Sequence, residues 1–221
     1  MSVQENLEAF RQQLPAGCRL IAVSKTQPIE KIQQAYHAGQ RVFGENRAQE
    51  MASKYEALPR DIEWHMIGHL QSNKVKYIAP FVTLIHSIDS LRLLEEVNRQ
   101  AGRFNRTIPC LLQVHIAEEQ TKFGFSPEEA LEIVASTDWS ALSHITIRGL
   151  MGMATFTDDR EQIRREFRSL RTLFEKLRDT PNLRIEELSM GMSGDYALAI
   201  EEGSTMIRIG TAIFGDRSVA F

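Results

Sequence analysis

The sequence predicts an α/β protein folded as a single (β/α)8 barrel of the TIM type, preceded by one additional N-terminal helix. Eight short apolar runs alternate with helix-like segments along the 221 residues, and this alternation is typical of parallel βαβ units. No Pro/Gly/Ser-rich or single-charge stretch divides the chain, so we expect one domain over residues 1–221. A doubly wound open sheet is the alternative, but no GxGxxG follows the first run.

The strand-like runs are rich in apolar and β-branched residues. They cover residues 20–24, 41–44, 62–67, 82–88, 108–116, 145–151, 184–190 and 206–209. The segments between them place apolar residues three and four positions apart, as amphipathic helices do. Examples are residues 29–38, 46–57, 90–102, 126–136 and 158–178. Capping signals support two of these helices, because Ser126 precedes Pro127 and two glutamates, and Ser90 precedes LRLLEEVNRQ.

Composition excludes several classes of protein. The chain has 26 basic and 29 acidic residues, a net charge of −3, with no basic run that would favour nucleic acid. The N-terminal segment has no signal-peptide h-region, and no apolar run approaches the ~18 residues that span a bilayer. Cys18 and Cys110 are far apart, which favours two reduced, apolar-packed thiols. We therefore expect a cytoplasmic protein with no membrane or nucleic-acid partner.

A barrel brings the residues that follow its strands to one face, where active sites of this fold lie. The first strand-like run, LIAV, ends in Ser24 and Lys25. The stem of Lys25 would run through the barrel mouth, where partial burial lowers the pKa of a lysine. A neutral amine is a nucleophile towards carbonyls. Lys25 is therefore a candidate Schiff-base lysine, although an ordinary surface loop lysine is the alternative.

Two small-residue loops follow the last two strands. They are SMGMSGD (189–195) and RIGTAIFG (208–215). Such loops often bind phosphate in barrels through backbone N–H groups and a short helix N-terminus, although either could be an ordinary turn. A lysine facing a phosphate site suggests a phosphorylated aldehyde, and pyridoxal 5′-phosphate (PLP) is the cofactor that needs both.

Six motifs carry a resemblance that covers essentially the whole chain. They are VSKTQP (23–28), FGENRAQE (43–50), WHMIGHLQSNK (64–74), RGLMGMA (148–154), SMGMSGDY (189–196) and GSTMIRIGTAIFG (203–215). In these motifs the sequence resembles the pyridoxal phosphate homeostasis protein family, which is related to the N-terminal barrel domain of alanine racemase. The resemblance implies an alanine racemase N-terminal domain-like barrel that binds PLP.

The resemblance also implies roles for individual residues. Lys25 would carry PLP as a covalent internal aldimine, and Asn46 would lie beside the cofactor. The phosphate would be held by Ser189, Ser193, Gly210 and Thr211. Arg208 would face the pyridine nitrogen, and because arginine only donates hydrogen bonds, that nitrogen would stay unprotonated. The alternative for Arg208 is an ion pair with Glu186 or Glu187.

The resemblance to alanine racemase raises the question of catalysis. Those enzymes resemble this barrel joined to a second, β-rich domain, which supplies a tyrosine acid/base. This sequence ends at Phe221, shortly after the eighth strand-like run. Three tyrosines (Tyr36, Tyr55 and Tyr77) fall in or at the end of predicted helices, and we expect only Tyr196 near the mouth. We therefore expect no catalytic residues.

Lys122 and the histidines are less informative. Lys122 lies in the loop after the fifth strand-like run. It is either a solvated charge or, in a sharper hypothesis, an amine that assists transfer of PLP off Lys25. No histidine pair is accompanied by a plausible set of carboxylates, so we expect hydrogen-bonded histidines and no metal site.

The favoured interpretation is a non-catalytic monomer that buffers PLP and delivers it, with PLP-requiring apo-enzymes as candidate recipients, and so maintains vitamin B6 and amino-acid homeostasis. The second is a PLP-dependent amino-acid racemase or related carbanion-forming enzyme. The third is an interaction module with vestigial cofactor binding.

Overall fold

The computed structural model describes residues 2–118, 123–181 and 183–215. Eight parallel strands follow one another around a closed barrel in chain order. The strands are β1 Arg19–Val23, β2 Val42–Glu45, β3 Glu63–Met66, β4 Leu84–Ile88, β5 Ile108–Val114, β6 Ile145–Gly152, β7 Glu187–Ser189 and β8 Met206–Ile209. The predicted barrel is confirmed, and the open-sheet alternative is wrong because β8 pairs with β1.

The closing seam joins four residue pairs of β1 and β8. Among them, Ile21 pairs with Arg208 and Ala22 with Ile209. Parallel pairing without a free edge brings the carboxyl end of every strand to the same face. The loops that follow β1 and β8 are therefore neighbours, although Val23 and Arg208 are 185 positions apart in the chain.

Helices surround the barrel. They are α1 Val3–Gln13, α2 Ile29–His37, α3 Ala48–Ala57, α4 Val75–Ile78, α5 Leu91–Arg103, α6 Pro127–Ser136, α7 Arg160–Arg178, α8 Tyr196–Glu201 and α9 Thr211–Phe214. The predicted caps are present, because the Ser126 hydroxyl accepts from Glu129 N–H and the Ser90 hydroxyl accepts from Leu93 N–H. The extra helix before β1 is also confirmed and begins with a capping box of Ser2 and Glu5.

Apolar side chains pack in two regions. The larger core lies between the strands and the helices and contains Phe43, Trp64 and Phe167, all with 0% exposure. A smaller cluster draws its members from five different strands, so it lies inside the barrel. Its members are Ile21, Leu84, Leu111, Met151 and Met206. Cys110 is buried in the larger core as a free thiol, as its sequence pattern predicted, and Cys18 is a half-buried free thiol.

Several predicted strands differ in length from the observed ones, and the runs 184–190 and 108–116 are two of them. The run 184–190 predicts a seven-residue strand, but β7 contains only Glu187–Ser189. Gly149 of β6 pairs with Glu187, the first residue of β7, and with φ +155° it approaches the Glu187 carbonyl so closely that a Cβ would lie 1.7 Å from its oxygen. The run 108–116 ends earlier than predicted, at Val114. Within the described part of the chain, no helix has the length and apolar content needed to cross a membrane.

Candidate functional site

A pocket of about 680 Å³ opens at the carboxyl ends of the strands. Its walls come from the loops that follow β1, β2, β3, β6, β7 and β8. The lining residues are Val23, Lys25, Asn46, Ile67, Met153, Ala154, Thr155, Phe156, Thr157, Asp158, Ile163, Met192, Ser193, Gly194, Asp195, Arg208, Gly210 and Thr211. Six of the seven residues proposed from the sequence are among them, and the seventh, Ser189, is not.

Lys25 is half-buried and lies in the pocket wall directly after β1. The residue before it, Ser24, is completely buried, and the Ser24 backbone N–H donates to Gly44 O at 3.0 Å, which continues the pairing of β1 with β2. The residue after it, Thr26, adopts the left-handed conformation with φ +60°. The chain therefore leaves the barrel in a tight turn whose position is set by its neighbours.

Small residues from the loops that follow β7 and β8 line the same pocket as Lys25. Ser193 lies in the loop after β7, where Met192 N–H donates to the Asp195 carboxylate at 2.5 Å. Gly210 and Thr211 begin α9, and the first N–H groups of a helix have no acceptor within the helix. A Cβ on Gly210 would lie 3.4 Å from Val23 O and Val23 Cβ, so glycine allows this loop to lie against β1.

Arg208 lies at the base of the pocket and is only 4% exposed. It donates from Nη1 to Ser189 Oγ at 2.6 Å and from Nη2 to Gly152 O at 3.0 Å. Burial lowers the pKa of its guanidinium to about 10, and the Asp195 carboxylate acts in the opposite direction. Arg208 therefore carries its charge at neutral pH.

The alternative ion pairs for Arg208 are wrong, because both glutamates have other partners. Glu186 pairs with Arg148 at 2.6 Å, and Glu187 pairs with Arg19 at 2.6 Å.

A buried polar chain continues below Arg208. Ser189 Oγ, with no exposure, lies 2.9 Å from His86 Nδ1, and His86 Nε2 lies 3.0 Å from His65 Nδ1. Burial lowers the pKa of His65 to about 3 and the pKa of His86 well below its usual value. Both imidazoles are neutral at pH 7, and because arginine only donates, the Ser189 hydroxyl proton is available to His86.

The other described histidines lie elsewhere. His69 pairs with Asp89 at 2.9 Å and stacks on Phe123 with ring centroids 3.9 Å apart. In the described ranges no group of three or more His, Cys, Asp or Glu side chains could hold a metal.

One wall of the pocket contains none of the site residues predicted from the sequence. Residues 153–158, which follow β6, line the pocket, and Phe156 among them is 98% exposed. A signal was present, since the run ATFTDD (154–159) places small and polar residues shortly after the predicted strand 145–151. Lys122 lies outside the described residues.

No tyrosine lines the pocket within the described part of the chain. Tyr196, the tyrosine expected near the mouth, donates to Gln13 Oε1 at 3.2 Å and packs edge-on against Phe10 of α1. Its hydroxyl therefore contacts the N-terminal helix. Tyr36, Tyr55 and Tyr77 lie in the outer helices, as predicted.

Comparison with known proteins agrees with this geometry. The family model described as the alanine racemase N-terminal domain matches residues 1–218. The chain is 44% identical over 200 residues to the pyridoxal phosphate homeostasis protein of Aquifex aeolicus, covering 90% of this chain and 87% of that protein.

Solved structures show the same likeness. PipY of Synechococcus elongatus, solved with PLP bound, superposes with a TM-score of 0.88 at 40% identity, over 97% of this chain and 100% of that chain. Alanine racemase from E. faecalis, at 19% identity and a TM-score of 0.75, shares the fold over 97% of this chain and 57% of its own. The chain therefore belongs to the alanine racemase N-terminal domain family and, within it, to the pyridoxal phosphate homeostasis proteins.

Proposed function

We propose that this protein binds PLP as a reversible Schiff base on Lys25, and that it buffers and delivers the cofactor without catalysing a reaction on it. The observation that carries the proposal is that the Lys25 amine shares one pocket with the small-residue loops of Ser193, Gly210 and Thr211 and with the buried cation Arg208. The relatives named pyridoxal phosphate homeostasis protein and the PLP-bound form of PipY support it.

The residues of the pocket fit PLP. Its volume, about 680 Å³, lies within the range of small-molecule sites. The hydroxyls of Ser193 and Thr211 and the amides at the start of α9 are donors suited to a phosphate. Val23, Ile67 and Met153 supply apolar surface for an aromatic ring.

PLP supplies an electrophilic aldehyde, and the chain supplies the amine. When the Lys25 nitrogen attacks the aldehyde carbon, a C=N bond replaces the C=O bond and one water leaves. Water or another amine reverses the step, so the attachment stores the aldehyde without consuming it. We propose Asn46 beside the ring and Ser193, Gly210 and Thr211 at the phosphate, while Ser189 acts through Arg208.

Arg208 favours storage over carbanion chemistry. A protonated pyridine nitrogen makes PLP a strong electron sink, and an acid beside that nitrogen keeps it protonated. A charged guanidinium offers only donors, so a nitrogen facing Arg208 would accept a hydrogen bond and stay unprotonated. Because alanine racemases share the fold, an amino-acid racemase is the competing proposal.

Release is the other half of the proposed function. A free aldehyde modifies amines at random, so a protein that holds it reversibly protects the cell and can supply PLP-requiring apo-enzymes. We infer a cytoplasmic monomer with PLP as its small-molecule partner. Light scattering of the PLP-loaded protein checks the oligomeric state, and a dimer would contradict that part.

The test begins with absorption spectra of the purified protein before and after adding PLP, followed by borohydride reduction and peptide mapping. We expect a visible Schiff-base band and a reduced pyridoxyl group on Lys25, and Lys25→Ala should lose both. Lys176→Ala, which removes an exposed lysine of α7, is the matched control and should keep both. Label on another residue, or none, would overturn the proposal.

A second measurement separates carrier from racemase. The PLP-loaded protein is incubated with L-alanine and other L-amino acids in D2O, and α-proton exchange is followed by NMR. We expect no exchange above the rate of free PLP. Rapid exchange would establish the enzyme instead.

A further inference from the structure

We propose that a largely buried ion cluster of Glu45, Glu50 and Lys54 positions Lys25 for attachment to PLP. The inference rests on the proposed Schiff base at Lys25. It assigns a positioning role to three side chains that do not line the pocket wall that holds Lys25.

The centre of this cluster is the ammonium of Lys54. Lys54 belongs to α3 and is 6% exposed, which is rare for a lysine. Its Nζ donates at 2.7 Å to each of three oxygens: the Ser24 carbonyl, Glu45 Oε1 and Glu50 Oε1. An ammonium has three N–H donors, so all of them are used. Lys54 is therefore committed to holding its neighbours and does not compete with Lys25 for the aldehyde.

The cluster holds the peptide on both sides of Lys25. On the preceding side, the Ser24 carbonyl accepts a hydrogen bond from Lys54 Nζ, and the Ser24 hydroxyl donates to Glu45 Oε1 at 2.6 Å. On the following side, Thr26 N–H donates to Glu50 Oε1 at 2.6 Å. Since Glu50 and Glu45 accept from the same ammonium, the two anchors are coupled through Lys54.

The turn needs such anchors because of its backbone conformation. Thr26 has φ +60°, a region that β-branched residues rarely adopt. A residue persists there only when its surroundings hold it. The Thr26 contact with Glu50 and a hydrogen bond of 3.0 Å from Gln27 N–H to Ser24 O are what hold it.

The consequence for Lys25 is a fixed starting point for a flexible side chain. Lysine has a long side chain with many rotamers, so the position of its Cα determines how frequently its amine reaches the aldehyde. A misplacement of about 1 Å can slow a positioned reaction about 100-fold. We therefore expect the cluster to control the rate at which Lys25 captures PLP.

The members of the cluster differ in burial, and this difference determines which of them can be changed without endangering folding. Glu45 is completely buried, and desolvation raises the pKa of its carboxyl while the Lys54 ammonium opposes that rise. Removing Lys54 leaves this carboxyl unpaired and endangers folding. Glu50 is partly exposed, so changing it tests the anchor on Thr26 in a folded protein.

The decisive comparison is Glu50→Ala against Glu50→Gln. The alanine loses the acceptor for Thr26 N–H, whereas glutamine keeps an oxygen at the same distance along the side chain. Rapid mixing with PLP, with borohydride quenching at intervals, measures the rate of trapping at Lys25. We expect Glu50→Ala to be slower by about tenfold, and Glu50→Gln to restore most of the rate. Lys54→Met should trap PLP at Lys25 more slowly still under conditions in which this variant is folded.

A matched control separates positioning from general stability. Arg106 donates to Ala79 O and Val82 O before β4, at the end of the barrel opposite the pocket. Arg106→Met should lower the melting temperature without slowing trapping. Slowing by Arg106→Met equal to that by Glu50→Ala would overturn the proposal, and so would an unchanged rate in Glu50→Ala. Failure of the wild-type protein to be trapped at Lys25 would instead overturn the Schiff base itself.

Discussion

Arg208 Nη1 lies 2.6 Å from Ser189 Oγ inside the barrel, and the exposure of the two side chains is 4% and 0%. The same hydroxyl lies 2.9 Å from His86 Nδ1, so Ser189 connects the cation at the pocket base to a neutral histidine below it. This arrangement favours a supporting role for Ser189, distinct from the phosphate-binding role that the resemblance implied.

Ser189→Ala should destabilise the protein even without PLP. It leaves a guanidinium N–H and an imidazole nitrogen without a partner in a buried site, at a cost of about 1–3 kcal/mol. Denaturant unfolding of the PLP-free protein, monitored by circular dichroism, measures the loss. An unchanged free energy of unfolding combined with weaker PLP binding would show that Ser189 acts on the cofactor directly.

Ser193→Ala is the matched variant, in the connection that follows β7, four residues after Ser189. Ser193 lies in the pocket wall and is exposed, so its loss should leave the free energy of unfolding within about 0.5 kcal/mol of wild type. A hydrogen bond to a charged phosphate contributes about 1.5–3 kcal/mol, so PLP affinity should fall by about tenfold or more. Titration of PLP absorbance checks this, and wild-type affinity in Ser193→Ala would remove it from the phosphate site.

The buried histidine pair should make stability depend on pH below about 6.5. The unfolded chain protonates histidine near its usual pKa of about 6.5, whereas burial lowers the pKa of His65 to about 3 and lowers that of His86 as well. Between these values only the unfolded state binds the protons. The free energy of unfolding is therefore highest above the unfolded pKa. As the pH is lowered below that value, it decreases by about 1.4 kcal/mol per pH unit for each histidine.

His65→Gln isolates this contribution. Between pH 6.5 and 5, above the range of most carboxylates, the slope of unfolding free energy against pH should decrease by about one proton. His37, an exposed histidine of α2, provides the control, and His37→Gln should leave the slope unchanged. An unaltered slope in His65→Gln would contradict a neutral His65 in the folded protein.

Gly149 should not tolerate a side chain. Its φ is +155°, and an added Cβ would lie 1.7 Å from Glu187 O, so β6 and β7 would have to separate. Gly149→Ala should lose more than about 3 kcal/mol or fail to fold. Gly194→Ala, where nothing lies within 4 Å of the added Cβ, should be close to neutral in the same thermal unfolding measurement. Equal melting temperatures for the two variants would contradict this strand approach.

Lys122 remains a hypothesis from the sequence. If its amine assists transfer from Lys25, Lys122→Ala should slow PLP release to an acceptor amine while the equilibrium affinity stays close to wild type. Stopped-flow absorbance after mixing the loaded protein with excess acceptor measures the rate, with Lys176→Ala as the control. An unchanged release rate would end the hypothesis.

Local patterns explain why so much of the fold was predictable. Most strand-like runs are rich in apolar residues, and the helix-like segments between them place apolar residues three and four positions apart. This alternation, with short connections, favours parallel strands in a barrel. The position of the mouth follows from that geometry alone. Lys25, Asn46, Ser193, Arg208, Gly210 and Thr211 are brought together because each follows, or ends, one of those strands.

Contacts between residues of different elements were not predictable in the same way. Periodicity indicates which face a residue occupies, but it does not specify which residue of a distant strand lies opposite. Lys54 has the spacing of an ordinary helix lysine, yet it is buried because Glu45 and Ser24 from two other elements supply its acceptors. Ser189 and His86, 103 residues apart, meet for the same reason.

The sequence by itself determined the barrel, its open face and the presence of an amine at that face, because these follow from local hydrophobic periodicity and chain connectivity. Only the tertiary structure decided that Arg208 is anchored by Ser189 and that both neighbours of Lys25 are held through Lys54. Closure of the strands into a ring buries Arg208, and packing of α3 against the strands buries Lys54, so both charges must find partners away from water. No local pattern in the chain encodes which partners they find.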